Sequence, residues 1–278
     1  MIRRLQPDDL PAALKLTQAE QWSHRLEDWE FNYRLGRGWV VCDEEGGALL
    51  GTASWWAYGE AFGSVGLVVV DRQQQGKGIG RRLMNLIIDE AGSRALQLVA
   101  TKAGLKLYQQ CGFREVGGIE QRQGVAAPQS SALAPSAVTL RAVVPSDLAA
   151  LCDLDSAAFG AARHEVIGAA AAAGAGVVAE HGGRPTGFAL VRQSGRGAHI
   201  GPIIAPDETL AIALIQHLLR SSSGFTRVDT PSDARRLATW LEAAGLVRVD
   251  EVTVMVRGTR PESQSGARTF GLVSQALG

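Results

Sequence analysis

The residues best suited to chemistry lie in one run, residues 68–82, which reads VVVDRQQQGKGIGRR. Val68, Val69 and Val70 close an apolar strand, Gly76, Gly78 and Gly80 make a turn, and the following RRLMNLIIDEAG carries Leu83, Met84, Ile87 and Ile88 at helical spacing. A glycine turn that opens a helix aims unpaired backbone N–H groups and the positive end of the helix dipole at one point, which suits an anion. Glycine lets that anion approach without meeting a Cβ, and Lys77, Arg81 and Arg82 add charge at the rim. The plain alternative, a turn that only redirects the chain, does not call for both the strand before it and the helix after it. No Ser or Thr follows Lys77 to hold magnesium, which disfavours a P-loop nucleoside triphosphatase. The dinucleotide fingerprint also fails, because its glycine spacing differs and no acidic residue follows the strand LQLVA.

The turn resembles the acetyl-CoA signature of the GNAT N-acetyltransferases: Gln or Arg, two residues, Gly, one residue, then Gly or Ala. Gln75, Gly78 and Gly80 fill it; Gln73, Gly76 and Gly78 fit as well, and the Ile-Gly-Arg that follows selects the first register. LKLYQQCGF, residues 105–113, is similar to the family's Leu-Tyr-x-x-x-Gly-Phe, and Thr101 stands where many members have Asn. The resemblance covers residue 1 to about 124. It implies acetyl-CoA as co-substrate, no metal, and a pantetheine arm lying against Val68, Val69 and Val70 as though it were an extra strand. Backbone donors there would polarise the thioester carbonyl. Gln75, Gly76, Lys77, Gly78, Ile79, Gly80 and Arg81 are then expected at the rest of the cofactor. Tyr108 is expected as the general acid, since a phenol of pKa about 10 is protonated at neutral pH and can serve a departing thiolate of pKa about 8.5.

The attacking amine has the opposite need. At a pKa of about 10.4 an alkyl ammonium is almost never neutral at pH 7, so a base, a desolvating pocket or a weaker amine is required. The resemblance makes Glu60 the first candidate base, because it follows the hairpin strand that borders the cleft in the family, and His24 is the second; either could instead be a solvated loop residue. The resemblance implies that Trp22, Trp29, Trp55 and Tyr58 flank the acceptor side of the cleft, where they could wall a pocket, with core packing as the alternative. In the second half, Asp155 and Arg163 stand about two helical turns apart, and either Arg163 contacts the substrate or the two pair with each other.

These residues need elements to position them. IRRLQPDDLPAALKL opens the first half and TLRAVVPSDLAALCDL the second, each a short strand, a Pro/Asp turn and an amphipathic helix, which marks an internal duplication. The first half continues with a helical region over 22–33, strands at 38–42 and 48–56 about a turn at 44–47, the buried strand SVGLVVVD, the glycine turn and its helix, LQLVA, and a helix through KLYQQCGF. The second half repeats the order, but GPIIAPDETLAIAL replaces the glycine turn and puts Asp207 and Glu208 where a pyrophosphate would be repelled. It resembles the degenerate GNAT-like domain of some bacterial acetyltransferases, in DSAAFGAAR and the terminal FGLVSQALG. The fold class is therefore α/β with a mixed sheet, as two tandem GNAT-fold domains: residues 1–126 catalytic, and 137–278 without the cofactor turn. The Pro- and Ser-containing run over 124–138 reads as the linker.

Composition agrees with an ordinary globular protein: 278 residues, 46% hydrophobic and 20% charged, room for about two domains of roughly 150 residues. Lys plus Arg and Asp plus Glu both number 28, so no overall field attracts nucleic acid or an anionic membrane. There is no apolar run of membrane-spanning length, the charged opening MIRRLQPDDL leads to no expectation of a cleaved signal, and the 3 Cys have no zinc spacing. The expected protein is cytoplasmic, a monomer or homodimer, and acetylates a primary amine, most simply that of a small molecule. A non-catalytic acyl-CoA sensor and an enzyme for protein lysines or N-termini are the alternatives.

Overall fold

The computed structural model describes residues 1–43, 47–127, 137–221, 224–264 and 266–278. The first half of the chain forms β1 (Ile2–Arg4), α1 (Leu10–Ala19), α2 (Leu26–Leu35), β2 (Arg37–Cys42), β3 (Leu49–Tyr58), β4 (Phe62–Val70), α3 (Ile79–Ala91), β5 (Ala95–Ala100), α4 (Leu105–Gln110) and β6 (Arg114–Val125). The second half forms β7 (Val138–Ala142), α5 (Leu148–Phe159), α6 (His164–Ala172), β8 (Gly174–His181), β9 (Arg184–Ser194), β10 (Gly197–Ala205), α7 (Glu208–Ser221), β11 (Phe225–Pro231), α8 (Arg235–Ala243), β12 (Val247–Arg257) and β13 (Arg268–Gly271). This is the mixed α/β architecture, twice over, that the residue pattern implied.

Two compact units result, and neither is one continuous stretch. Unit 1 holds residues 1–116, 253–260 and 277; unit 2 holds 117–252, 261–276 and 278. The division thus differs from consecutive domains of 1–126 and 137–278, because the halves exchange strands. In unit 1, residues 253–257 of β12 pair antiparallel with β5, Thr253 opposite Ala100 through Arg257 opposite Leu96. In unit 2, β6 pairs antiparallel with β11, Ile119 opposite Pro231 through Val125 opposite Phe225. At the start of the linker expected over 124–138, residues 124 and 125 belong to β6 and the Ala127 N–H donates to the Ala244 carbonyl at 2.9 Å; 128–136 lie outside the described residues, as do 44–46 of the expected β2–β3 turn.

Within unit 1 the strands run β1, β2, β3, β4, β5, with β1 to β4 antiparallel neighbours and β5 parallel to β4. One core forms where α3 lays Ile79, Leu83, Met84, Ile87 and Ala91 against Val41, Ala53, Trp55, Val65 and the β5 residues Leu96 and Leu98. The spacing of those helix residues gives α3 a single apolar face, as the sequence pattern requires. The helix expected over 22–33 starts only at Leu26. Asp28 explains the delay, because its carboxylate accepts the Arg25 N–H at 3.0 Å and so satisfies a donor that the helix itself cannot.

The duplication is visible in matching side chains. Arg3 donates two hydrogen bonds of 2.7 Å to Asp9, whose carboxylate also accepts the Gln6 N–H. Arg141 donates two of 2.8 Å to Asp147, which accepts the Val144 N–H in the same way. The Arg141 guanidinium, aided by that backbone N–H and opposed by burial, lowers the Asp147 pKa to about 2. A carboxyl depressed when folded contributes stability above its unfolded pKa of about 3.9 and loses it as pH falls toward the folded value. Arg141 is about a third exposed, so solvent screens the pair. Asp147→Asn should lower the denaturation midpoint at pH 7 and flatten its fall between about pH 4 and 2; an unchanged acid limb would show that the pair contributes nothing.

Candidate functional site

The site is built on a defect in β4. Ser54 is opposite Gly66 and Thr52 opposite Val69, so β4 carries one residue more than β3 in this interval. The extra residue makes a bulge at Leu67, whose φ of 52° is left-handed and rare for a side chain of that kind. On its other edge β4 pairs with β5 only from Phe62 opposite Ala95 to Val65 opposite Leu98. Beyond Val65 the two parallel strands have no further pairing, and the backbone of Gly66 to Val70 has an edge free of β5. Leu67 and Val69 are buried; Val68 and Val70 are half-buried and pack against the α3 core. An edge of this kind can take an added extended group through backbone hydrogen bonds.

β4 leads directly to the glycine turn. Gly76 and Gly78 have φ of 77° and 81°, and a Cβ on either would meet nothing within 4 Å. Both glycines are thus required by backbone conformation, and the space beside them is open. Gly78 is the N-cap of α3, and its carbonyl accepts the first helical bond, from Arg82 at 3.0 Å. The N–H groups ahead of that bond have no helical partner. Gly80 serves differently: a Cβ there would lie 3.0 Å from Leu107, so its absence lets α4 close on the first turn of α3. Arg81 donates to Gln110 on α4. The Gln75 amide donates to the Val70 carbonyl at 3.2 Å, tying the turn back to the strand, and Lys77 donates to Gln74 at 2.9 Å. Ile79 is buried in the core beneath.

Tyr108 belongs to the same core, stacked edge-on to Phe113 with ring centroids 6.2 Å apart. Gly104 makes room for it, because a Cβ there would meet the ring at 2.6 Å. Burial pushes the phenol well above its ordinary pKa, and the hydroxyl makes no hydrogen bond among the described residues. A neutral O–H donor without a protein acceptor, on the helix whose Leu107 and Gln110 meet the first turn of α3, can serve a ligand acceptor. Neither Leu67 nor Gly104 stood out in the sequence; the only signal for Gly104 is its place one residue before LKLY.

The expected acceptor residues are dispersed. Glu60 sits exposed in the β3–β4 turn, on the closed side of the four paired residues 62–65, and ~20 Å of extended chain separate it from the bulge. It is not placed to serve as base at β4. Trp55 is 3% exposed and faces α3, with the Arg94 guanidinium 6.0 Å from its ring, so it is core and no pocket wall. Trp22, His24 and Trp29 do come together, His24 edge-on to both rings at 5.8 and 6.4 Å, with the buried Trp29 donating to Thr17. Tyr58 is buried and donates to the Leu277 carbonyl at 2.7 Å. A cavity between α1 and α2, lined by Leu10, Leu26, Glu30 and Tyr33 among others, was not foreseen, and none of its lining residues lies on β4, α3 or α4.

Unit 2 keeps the outline without the turn. Asp207 caps α7 by accepting the Leu210 N–H at 2.9 Å, and Glu208 accepts the Leu237 N–H at 2.6 Å. Arg163 donates to both oxygens of Asp155 at 2.8 and 2.9 Å, with both side chains fully buried. The mutual ion pair is therefore what forms, and Arg163 has no surface left for a substrate. Among the described residues no cluster of three His, Cys, Asp or Glu could hold a metal, and no helix is long and apolar enough to cross a membrane.

Comparison with known proteins places both halves. Residues 2–113 match the acetyltransferase (GNAT) family, and residues 151–271 match a further acetyltransferase (GNAT) domain. The chain is 32% identical over 219 residues to the uncharacterized N-acetyltransferase YitH of Bacillus subtilis (strain 168), covering 77% of this chain and 76% of that one. In fold it is similar to a crystal structure assigned as an acetyltransferase from Pyrococcus horikoshii, with a TM-score of 0.81 at 18% identity over 100% of this chain and 95% of that one. It is also similar to a GCN5-related N-acetyltransferase from Sphaerobacter thermophilus, with a TM-score of 0.69 at 19% identity over 96% and 98%.

Proposed function

The chain belongs to the GNAT family of N-acetyltransferases, and we propose that unit 1 transfers the acetyl group of acetyl-CoA to the primary amine of a small molecule by direct attack. The observation that carries this reading is the continuity of the β4 bulge, the free β4 edge and the left-handed glycines Gly76 and Gly78 at the start of α3. Together they offer backbone donors for a pantetheine arm and for a pyrophosphate, in that order along one strand and its turn. The amine nitrogen bonds to the acyl carbon, the carbon–sulfur bond breaks, and the sulfur leaves as a thiolate that Tyr108 can hydrogen-bond. The proton shed by the amine goes to solvent or a base; His24, between two tryptophans, is the remaining candidate. The balance of 28 basic and 28 acidic residues supports a small acceptor, since it supplies no field for a charged macromolecule.

The test is thiol release from acetyl-CoA by the full chain, with a panel of small primary amines in one arm and lysine-containing peptides in the other. One N-acetylated small amine per thiol released is the expected result. Release only with peptides would replace the acceptor class, and saturable acetyl-CoA binding with no release in either arm would leave a sensor.

A further inference from the structure

Unit 2 has the same opening between parallel strands as unit 1, and part of the chain itself runs into it. β10 and β11 pair only at Ala198 opposite Thr226 and His199 opposite Arg227, then have no further pairing, as β4 and β5 do after Val65. β10 also carries a one-residue register shift against β9 between Ile200 and Ile203, matching the bulge of β4 against β3. Past that shift the β11-side partner of β10 is β13, with Ile203 opposite Gly271, Ile204 opposite Thr269 and Ala205 opposite Arg268. The next residue bonds to the other wall, the Leu272 N–H donating to the Asp229 carbonyl of β11 at 3.0 Å. Arg192 then donates to the Val273 carbonyl at 3.3 Å.

The fit of this segment is close. A Cβ on Gly201 would lie 1.8 Å from the Leu272 carbonyl oxygen, and one on Gly271 would lie 2.5 Å from Ile203. Phe270, Leu272 and Val273 are buried. Adjacent strands stand about 4.8 Å apart, so a gap that holds one strand between two others has no width for a second extended group.

We infer that the cleft of unit 2 is a peptide-strand site whose ligand is the chain's own 268–273 segment, seated where an acyl-pantetheine would otherwise lie. The comparison with a pantetheine rests on the reading of unit 1 proposed above; the occupancy of the cleft by the peptide does not. The absent glycine turn and the Asp207 cap remove the phosphate subsite, and the segment fills what remains, leaving one acyl-CoA site per chain.

Amide exchange of the full chain tests it. The amides of 269 and 271–273 should exchange at least about a hundredfold more slowly than an unstructured chain, and saturating acetyl-CoA should leave them unchanged. Fast exchange there, or acceleration when acetyl-CoA is added, overturns the inference. Gly201→Val, which places side-chain atoms where Leu272 now lies, should speed exchange of 271–273 by at least about tenfold while the amides of 67–70 keep their rates; unaltered protection of 271–273 in a folded variant also overturns it. Protection at 269 and 271–273 in a chain that binds no acetyl-CoA supports the strand site and sinks the acetyl-CoA reading of unit 1 instead.

Discussion

Gly78→Glu is expected to weaken acetyl-CoA binding by at least about a hundredfold, from backbone strain and charge together. At φ of 81°, a residue with a Cβ pays roughly 1–2 kcal/mol, and the turn shifts to avoid it. The carboxylate then stands at the start of α3, where it takes the place of the anion and repels it. No atom lies within 4 Å of a Cβ at this position, so a steric clash is not the cause. Gly78→Asn, which tolerates the left-handed region and adds no charge, should lose much less. Isothermal titration of both variants checks this; equal losses would remove charge from the explanation, and undiminished binding by Gly78→Glu would remove the turn from the site.

Tyr108→Phe should leave acetyl-CoA affinity within about twofold and lower kcat by about a hundredfold or more. Phenylalanine keeps the edge-on contact with Phe113 and the space that Gly104 provides, so only the hydroxyl is lost. Burial raises the phenol pKa, which places it above the thiol. Full proton transfer to the thiolate then runs uphill, and the hydroxyl contributes chiefly by hydrogen-bonding the sulfur as its charge develops, with solvent supplying the final proton. The raised pKa also keeps the donor intact in alkali, so wild-type kcat should show no loss of this group below about pH 10. A kcat that is unchanged in Tyr108→Phe would mean that water or another residue meets the leaving group.

What the sequence made legible is the chemistry fixed by local backbone. The glycine turn and the amphipathic face of α3 each depend on a few neighbouring residues, and each forms where the spacing placed it. The bulge at Leu67 was hidden because leucine carries no turn signal; the conformation is imposed by the register of β3 against β4. Glu60 was misplaced for a related reason. The end of a hairpin strand borders an opening only if its neighbour has already diverged, and β5 diverges at the far end. Trp55 and Trp56 alternate across β3, one toward α3 and the other donating to the Asn32 carbonyl of α2, but alternation alone does not say which face holds the site. The exchange of β6 and β12 rests on pairing partners a hundred residues or more apart, about which neither strand's own pattern is informative.

The most direct measurement is a residue-resolved map of amide shifts in the full chain as acetyl-CoA is added. The account predicts saturable changes at 67–70 and 76–81, where the β4 edge and the start of α3 present their N–H groups, and none at 200–205 of β10. Saturable binding that leaves 67–70 and 76–81 unmoved, or that perturbs 200–205 instead, would contradict it.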